Sequence, residues 1–154
     1  NAHLAELVKP FLDKAGIEVH EAPYLDKVIG LVKERCVLLP DFVTQSAFFF
    51  QAPKEIEIAS IQPKWEEKKK CFFDELGKLY SSIIEAGMIT APAAELEVEF
   101  KELASKHDLK PGELMLPFRI MLVGGKFGPG VFAIAELIKK ENCIKRIQFA
   151  MQQL

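Results

Sequence analysis

The sequence predicts an all-α domain of about eight helices, and three observations predict it. Apolar residues recur at intervals of three and four through most of the chain, the period of a helix with one buried face. Glycines and prolines fall at the ends of these periodic runs, where helices stop and start. Alternating stretches are nearly absent: "IEIASI" at 56–61 has a strand's pattern but no partner strand to pair with. Nothing repeats at a fixed period, which sets a solenoid aside.

Taken in order, "AHLAELVKPFLDKAG" is a helix that stops at Gly16, with Pro10 expected to kink it. In "APYLDKVIGLVKERC", Leu25, Val28, Ile29, Val32 and Cys36 share one face, and Arg35 sits at the border of that stripe. Pro40 opens a short helix, "PDFVTQSAFFF", because its missing N–H has no helical partner to lose there. Residues 51–62 are polar and irregular. A long helix is expected from about Pro63 to Ala86, burying Trp65, Phe72, Phe73, Leu76, Leu79, Tyr80, Ile83 and Ile84. Gly87 caps it, and Lys68, Lys69 and Lys70 read as a solvated face.

Thr90 is the expected cap of the next helix, which runs through Leu96, Phe100, Leu103 and Ala104 to His107. The loop "LKPGEL" leads into a helix at 112–123 that is apolar nearly all round, so it should be buried on most sides. Gly124 and Gly125 end it. Gly128-Pro129-Gly130 then starts a helix carrying Val131, Ile134, Ala135 and Ile138. A last helix after Asn142 puts Ile144, Ile147, Met151 and Leu154 on one face, with Lys145 and Arg146 off it. The domain is expected to span 3–154, with helical subdomains at about 3–90 and 91–154. Asn1-Ala2 begins inside a helical pattern and reads as an expression scar on a fragment.

Composition narrows the function. At 154 residues, 49% hydrophobic and 27% charged, the chain is globular and long enough to bury a core. A net charge of −2 argues against a protein that coats nucleic acid through many phosphate contacts, while leaving room for a local basic patch. Cys36, Cys71 and Cys143 are far apart and form no CxxC pair, as expected of reduced thiols in the cytoplasm. The longest apolar run, 114–125, is broken by Arg119 and falls short of the roughly 18 residues that span a bilayer.

Catalytic signatures are missing. "GGKFGPG" has Phe127 where a P-loop needs a magnesium-holding Ser or Thr, and a helix precedes it instead of a strand. His3, His20 and His107 lack metal-ligand spacing, Glu66-Glu67 reads as surface charge, and no nucleophile elbow or Cys-His arrangement is present. No catalytic or metal-binding residue is assigned. Arg119 is the informative residue, because a guanidinium inside an apolar helix is costly unless it finds partners. Either it pairs internally with a carboxylate, which the cost of burial slightly favours, or it reaches the surface beside the Gly128-Pro129-Gly130 turn. That turn exposes main-chain groups at a helix N-terminus, where an anion or a base edge can dock.

The stretch "LKPGELMLPFRIMLVGGKFGPGVFAIAELIKKENCIKRIQFAM" resembles the C-terminal end of bacterial-type glutamyl-tRNA synthetases. The resemblance is carried by Pro117, Arg119, Leu122, Gly124, Pro129, Gly130, Val131, Phe132, Glu141, Arg146 and Ile147. "VKPFLDKAGI" and "LVKERCVLLPDFVTQSAFFF" resemble an earlier part of the same region. Val123 and Gly128 stand where that family often has threonine, and losing a hydroxyl at 128 removes one possible base contact.

In that family the region is an all-helical cage that binds the anticodon. The resemblance therefore implies that Arg35 reads the third anticodon base and that Arg119 lies near the anticodon. It implies that Gly128, Pro129 and Val131 contact the first two bases, with Phe132 packing alongside. The physics agrees: unstacked loop bases are read by stacking and by hydrogen bonds to their edges, and arginine offers both a plane and a fork of donors.

The implied parent is a glutamate–tRNA ligase that uses ATP and magnesium, neither of them held by this fragment, which should be inactive alone because the signatures of the catalytic half are absent. The implied partners are the anticodon loop of glutamate tRNA and the catalytic domain of the same parent, in a cytoplasmic monomer without membrane contact. Competing readings are the similar cage of class I lysyl-tRNA synthetases, a helical protein-interaction module whose apolar turn binds a partner helix, and, more weakly, a free-standing helical enzyme.

Overall fold

Helical periodicity becomes seven α-helices and three short 3-10 turns among the described residues, with no strand among them. The structure is a computed structural model that describes residues 2–19, 22–53, 55–87 and 92–154. His20, the expected cap Thr90 and the expected subdomain boundary near 90–91 therefore lie outside the described residues. The chain forms two compact units, Asn1–Ala52 and Pro53–Leu154.

In the first unit, α1 (Ala2–Lys14), α2 (Ala22–Val32) and α3 (Asp41–Phe50) pack on one another. As the pattern predicts, α1 ends at Gly16 (φ 78°), and the Ile17 N–H closes back onto the Leu12 carbonyl at 2.9 Å. Leu12, Val28, Ile29 and Val32 are fully buried, each contributing about 1.5–3 kcal/mol by leaving water. Tyr24 ties α2 to α3: its hydroxyl donates to the Phe49 carbonyl at 2.8 Å and its ring meets the edge of Phe50 at 5.5 Å. A 3-10 turn, Lys33–Arg35, extends α2 and carries Arg35.

The second unit begins with 3-10 turns at Ile58–Ser60 and Gln62–Lys64, followed by α4 (Glu67–Glu85), α5 (Ala93–Lys106), α6 (Pro111–Val123) and α7 (Val131–Met151). Helix α7 packs against α4, α5 and α6. An aromatic cluster fills the centre: Phe100 stacks on Phe118 at 5.2 Å, and Phe72 and Phe132 meet Phe100 edge-on at 5.0 and 5.3 Å. Helix α6 is buried on most sides, as its composition requires, with Leu114, Phe118, Ile120, Met121 and Leu122 all at 0% exposure.

Local contacts account for four further details, two of which differ from the sequence reading. Residues 58–60 form a 3-10 turn within the stretch expected to be irregular, and no strand is present among the described residues to pair with its alternating pattern. Helix α4 starts at Glu67, not Pro63: Pro63 lies in a 3-10 turn and Trp65 is extended (φ −75°, ψ 132°), although the indole still stacks on Phe73 at 5.9 Å. The two expected C-terminal helices are both present within α7, meeting at a kink at Lys139 (φ 72°, ψ 153°), and Asn142 Nδ2 donates to the Ile138 carbonyl at 2.7 Å beside it. Two cations are buried, one on a face read as solvated and one read as lying off the apolar face. Lys69 is 6% exposed and donates to the Lys64 carbonyl at 2.8 Å, and Arg146 is 5% exposed and donates to the Leu122 carbonyl at 2.7 Å. A main-chain carbonyl accepts from each head group, a pairing that side-chain periodicity cannot register.

Candidate functional site

The site is built on the link between α6 and α7. Helix α6 stops where Gly124 turns left-handed (φ 93°) and its N–H bonds back to the Ile120 carbonyl at 2.8 Å. The Gly124 carbonyl accepts the N–H of Glu57 at 2.9 Å. A Cβ at Gly124 would lie 2.8 Å from the Glu55 carbonyl oxygen and 3.0 Å from Pro53 Cβ. Glycine is therefore needed here for both backbone angle and space. At Gly125 a Cβ would fall 2.9 Å from Cε1 of Phe127, so the phenyl ring lies directly over this residue.

Arg119 organises the next part of the link. Its Nη1 donates to the carbonyls of Phe127 (3.1 Å), Gly128 (3.1 Å) and Pro129 (2.6 Å). Of the two arrangements open from sequence, the structure places Arg119 beside the turn, half-buried, with the turn's own main chain among its partners. Gly128 adopts φ 107°, a conformation in which the more usual threonine would be strained. Gly130 is the N-cap of α7 and supplies no side-chain cap, and the first helical bond runs from the Ile134 N–H to the Gly130 carbonyl at 3.1 Å.

The structure thus brings Arg119, Gly128, Pro129 and Val131 together. Gly128 and Pro129 are buried, and Val131 is 5% exposed. Val131 packs inward. Phe132 belongs to the aromatic cluster, 6.3 Å from Phe118.

Arg35 lies in the other unit, exposed at the end of its 3-10 turn. Beyond it Val37 and Leu38 are 92% and 65% exposed, on a turn fixed by Asp41, whose Oδ2 accepts the N–H of Val37 at 3.0 Å and of Leu38 at 2.9 Å. Those two bonds hold the Asp41 carboxyl below its ordinary range.

Sequence reasoning missed Asp41, Glu57 and the clamp by Arg146 on the last turn of α6. Asp41 had a visible signal, an acid at the start of a helix, but its reach back toward Arg35 did not. Glu57 and Arg146 act on main-chain carbonyls distant in sequence. Among the described residues no cluster of His, Cys, Asp and Glu could hold a metal ion. His107 Nε2 instead sits 3.0 Å from Glu75 Oε2, and this contact leads the causes that lower the Glu75 carboxyl.

A family model described as an anticodon binding domain matches residues 3–151. The chain belongs to that family. This anticodon-binding domain is 34% identical over all its residues to a glutamate–tRNA ligase of Christiangramia forsetii and 30% identical to one of Flavobacterium johnsoniae, and it spans 29% of the length of each. Among solved structures it is similar to a glutamate tRNA ligase from Elizabethkingia meningosepticum in complex with its amino acid. There the TM-score is 0.84 at 30% identity, covering 99% of this chain and 29% of that one. The glutamate–tRNA synthetase of Elizabethkingia anophelis follows at a TM-score of 0.74 and 29% identity, covering 97% of this chain and 28% of that one. No helix among the described residues is long and apolar enough to cross a membrane.

Proposed function

We propose that this anticodon-binding domain recognises the anticodon loop of glutamate tRNA on behalf of a glutamate–tRNA ligase. The observation that carries the reading is the seat of Arg119 beneath the Phe127–Pro129 turn, immediately ahead of an α7 N-terminus that no side chain caps. A cation, a turn held in one shape and the N–H groups of a helix start suit the edges of unstacked loop bases and the phosphates between them. The family match and the ligase relatives support the same reading. Gly128, Pro129 and Val131 present the turn to the first two anticodon bases. Arg35, exposed just before the turn that Asp41 fixes, reads the third.

Few contacts are needed for this task, which accords with a net charge of −2. The parent would join glutamate to its tRNA with ATP and magnesium, in its own catalytic domain and not on these residues. Alone, the domain binds RNA without catalysis. The parent is read as a cytoplasmic monomer in which this domain and the catalytic domain grip one tRNA.

Amide chemical-shift mapping with an unlabelled glutamate anticodon stem-loop tests the assignment. Shifts concentrated at Arg35–Leu38 and at Phe127–Phe132 are expected. Shifts confined to other surfaces would remove these residues from the interface.

A further inference from the structure

We propose that Arg119 is a positioning residue for the RNA-reading turn, acting on RNA through the main chain of Phe127, Gly128 and Pro129. This rests on the anticodon reading proposed above and assigns one residue a different role within it. The two N–H groups of Nη1 are shared among three consecutive carbonyls, at 3.1, 3.1 and 2.6 Å. Gly128, the middle residue of the three, is left-handed at φ 107°, so the chain bends where the carbonyls meet Nη1. Arg119 and Gly128 are thus two halves of one device: the glycine permits the fold of the turn, and the guanidinium holds it.

The device has an electrostatic consequence. Three carbonyl oxygens gathered at one place form a concentration of negative partial charge, which would repel a polyanion. The guanidinium among them offsets that charge where the chain enters α7. The N–H groups of Val131, Phe132 and Ala133 have no acceptor within the helix, and Gly130 brings no side chain to cap them. Their direction follows from the path of residues 127–130, and Arg119 sets that path. Lysine is a poor substitute because its ammonium is a point charge without a planar fork.

The test compares the wild-type 154-residue chain with Arg119→Ala and Arg119→Lys. Each is titrated with the glutamate anticodon stem-loop, and with one of altered loop sequence, over a series of salt concentrations. Backbone amide exchange is measured in parallel. A positioning role predicts that Arg119→Ala weakens binding about tenfold or more while the dependence of log Kd on log salt keeps its slope. It also predicts faster exchange at residues 128–132 with little change elsewhere, and only partial recovery in Arg119→Lys.

A direct phosphate contact predicts otherwise. The slope would become shallower by about 0.7 in Arg119→Ala, and lysine would restore binding fully. That result overturns the positioning role and leaves anticodon reading intact. Unchanged affinity in Arg119→Ala overturns it as well. If Arg119→Ala does not fold, the binding and exchange of Arg119→Lys decide between the two roles. Loss of loop preference in the wild-type chain is a separate failure, that of the anticodon reading itself.

Discussion

Arg146 Nη1 donates to the Leu122 carbonyl at 2.7 Å, tying α7 to the last turn of α6 from a position only 5% exposed. Leu122 stands two residues before Gly124, where the candidate site begins. The bond occupies one of the carbonyls that a helix end leaves without an internal partner. The second unit thus holds the end of α6 from two sides, by Arg146 on Leu122 and by the Glu57 N–H on Gly124.

Arg146→Ala should therefore lower stability by roughly 2–4 kcal/mol, through the cavity left behind and the buried carbonyl stripped of its donor. Urea unfolding measures the loss. A change within a few tenths of a kcal/mol would mean that the clamp contributes nothing.

Two glycines make a contrasting pair. Gly124→Ala meets the Glu55 carbonyl at 2.8 Å and must hold φ 93°, so a cost of about 1–3 kcal/mol is expected. Gly77 lies inside α4 with nothing within 4 Å of its missing Cβ. Gly77→Ala should stabilise by about 0.5–1 kcal/mol. Thermal unfolding of both variants checks the signs, and a shared sign would contradict the packing described around Gly124.

Acid should loosen the turn at Val37 and Leu38 that follows Arg35. The Asp41 carboxyl is depressed below 3.8 by the N–H groups of Leu38 and Val37. A depressed folded-state value means that the contribution is fully present above the unfolded value and fades as pH falls through the folded one. Unfolding measured between about pH 5 and pH 2 should show this loss in the wild type and a flatter acid limb in Asp41→Asn. Identical limbs would remove Asp41 from the acid response.

Thiol labelling should separate the cysteines. Cys71 is exposed and should react first at neutral pH. Cys143 is fully buried, its thiol pushed up to about 12 chiefly by desolvation, and its Sγ lies 3.8 Å from the Ala135 carbonyl. It should label only after unfolding. Equal rates in the folded protein would contradict the packing of α7.

Much of this was legible in the sequence because it is side-chain chemistry at short range. The apolar circumference of α6, the stop at Gly124 and the start after Gly130 follow from residue type and spacing. So does the placement of Arg119 near the turn, once the resemblance is added. What escaped is main-chain recognition across long sequence separations. Lys69 and Arg146 look like surface cations until the carbonyls of Lys64 and Leu122 are brought to them. The contacts of Pro53, Glu55 and Glu57 on Gly124 have no sequence signature, because they depend on a carbonyl, an N–H and an absent side chain. The kink at Lys139 falls between the two helices that the pattern separates, and Asn142 acts back on Ile138 beside it.

Whether this domain distinguishes anticodon sequence is answered by a low-salt titration with two labelled stem-loops. One carries the glutamate anticodon, and the other differs only at its third base. The account predicts tighter binding to the first, with the difference abolished in Arg35→Ala. Equal affinity of the wild-type chain for both would contradict it, reducing the interaction to sequence-independent contact with the phosphate backbone.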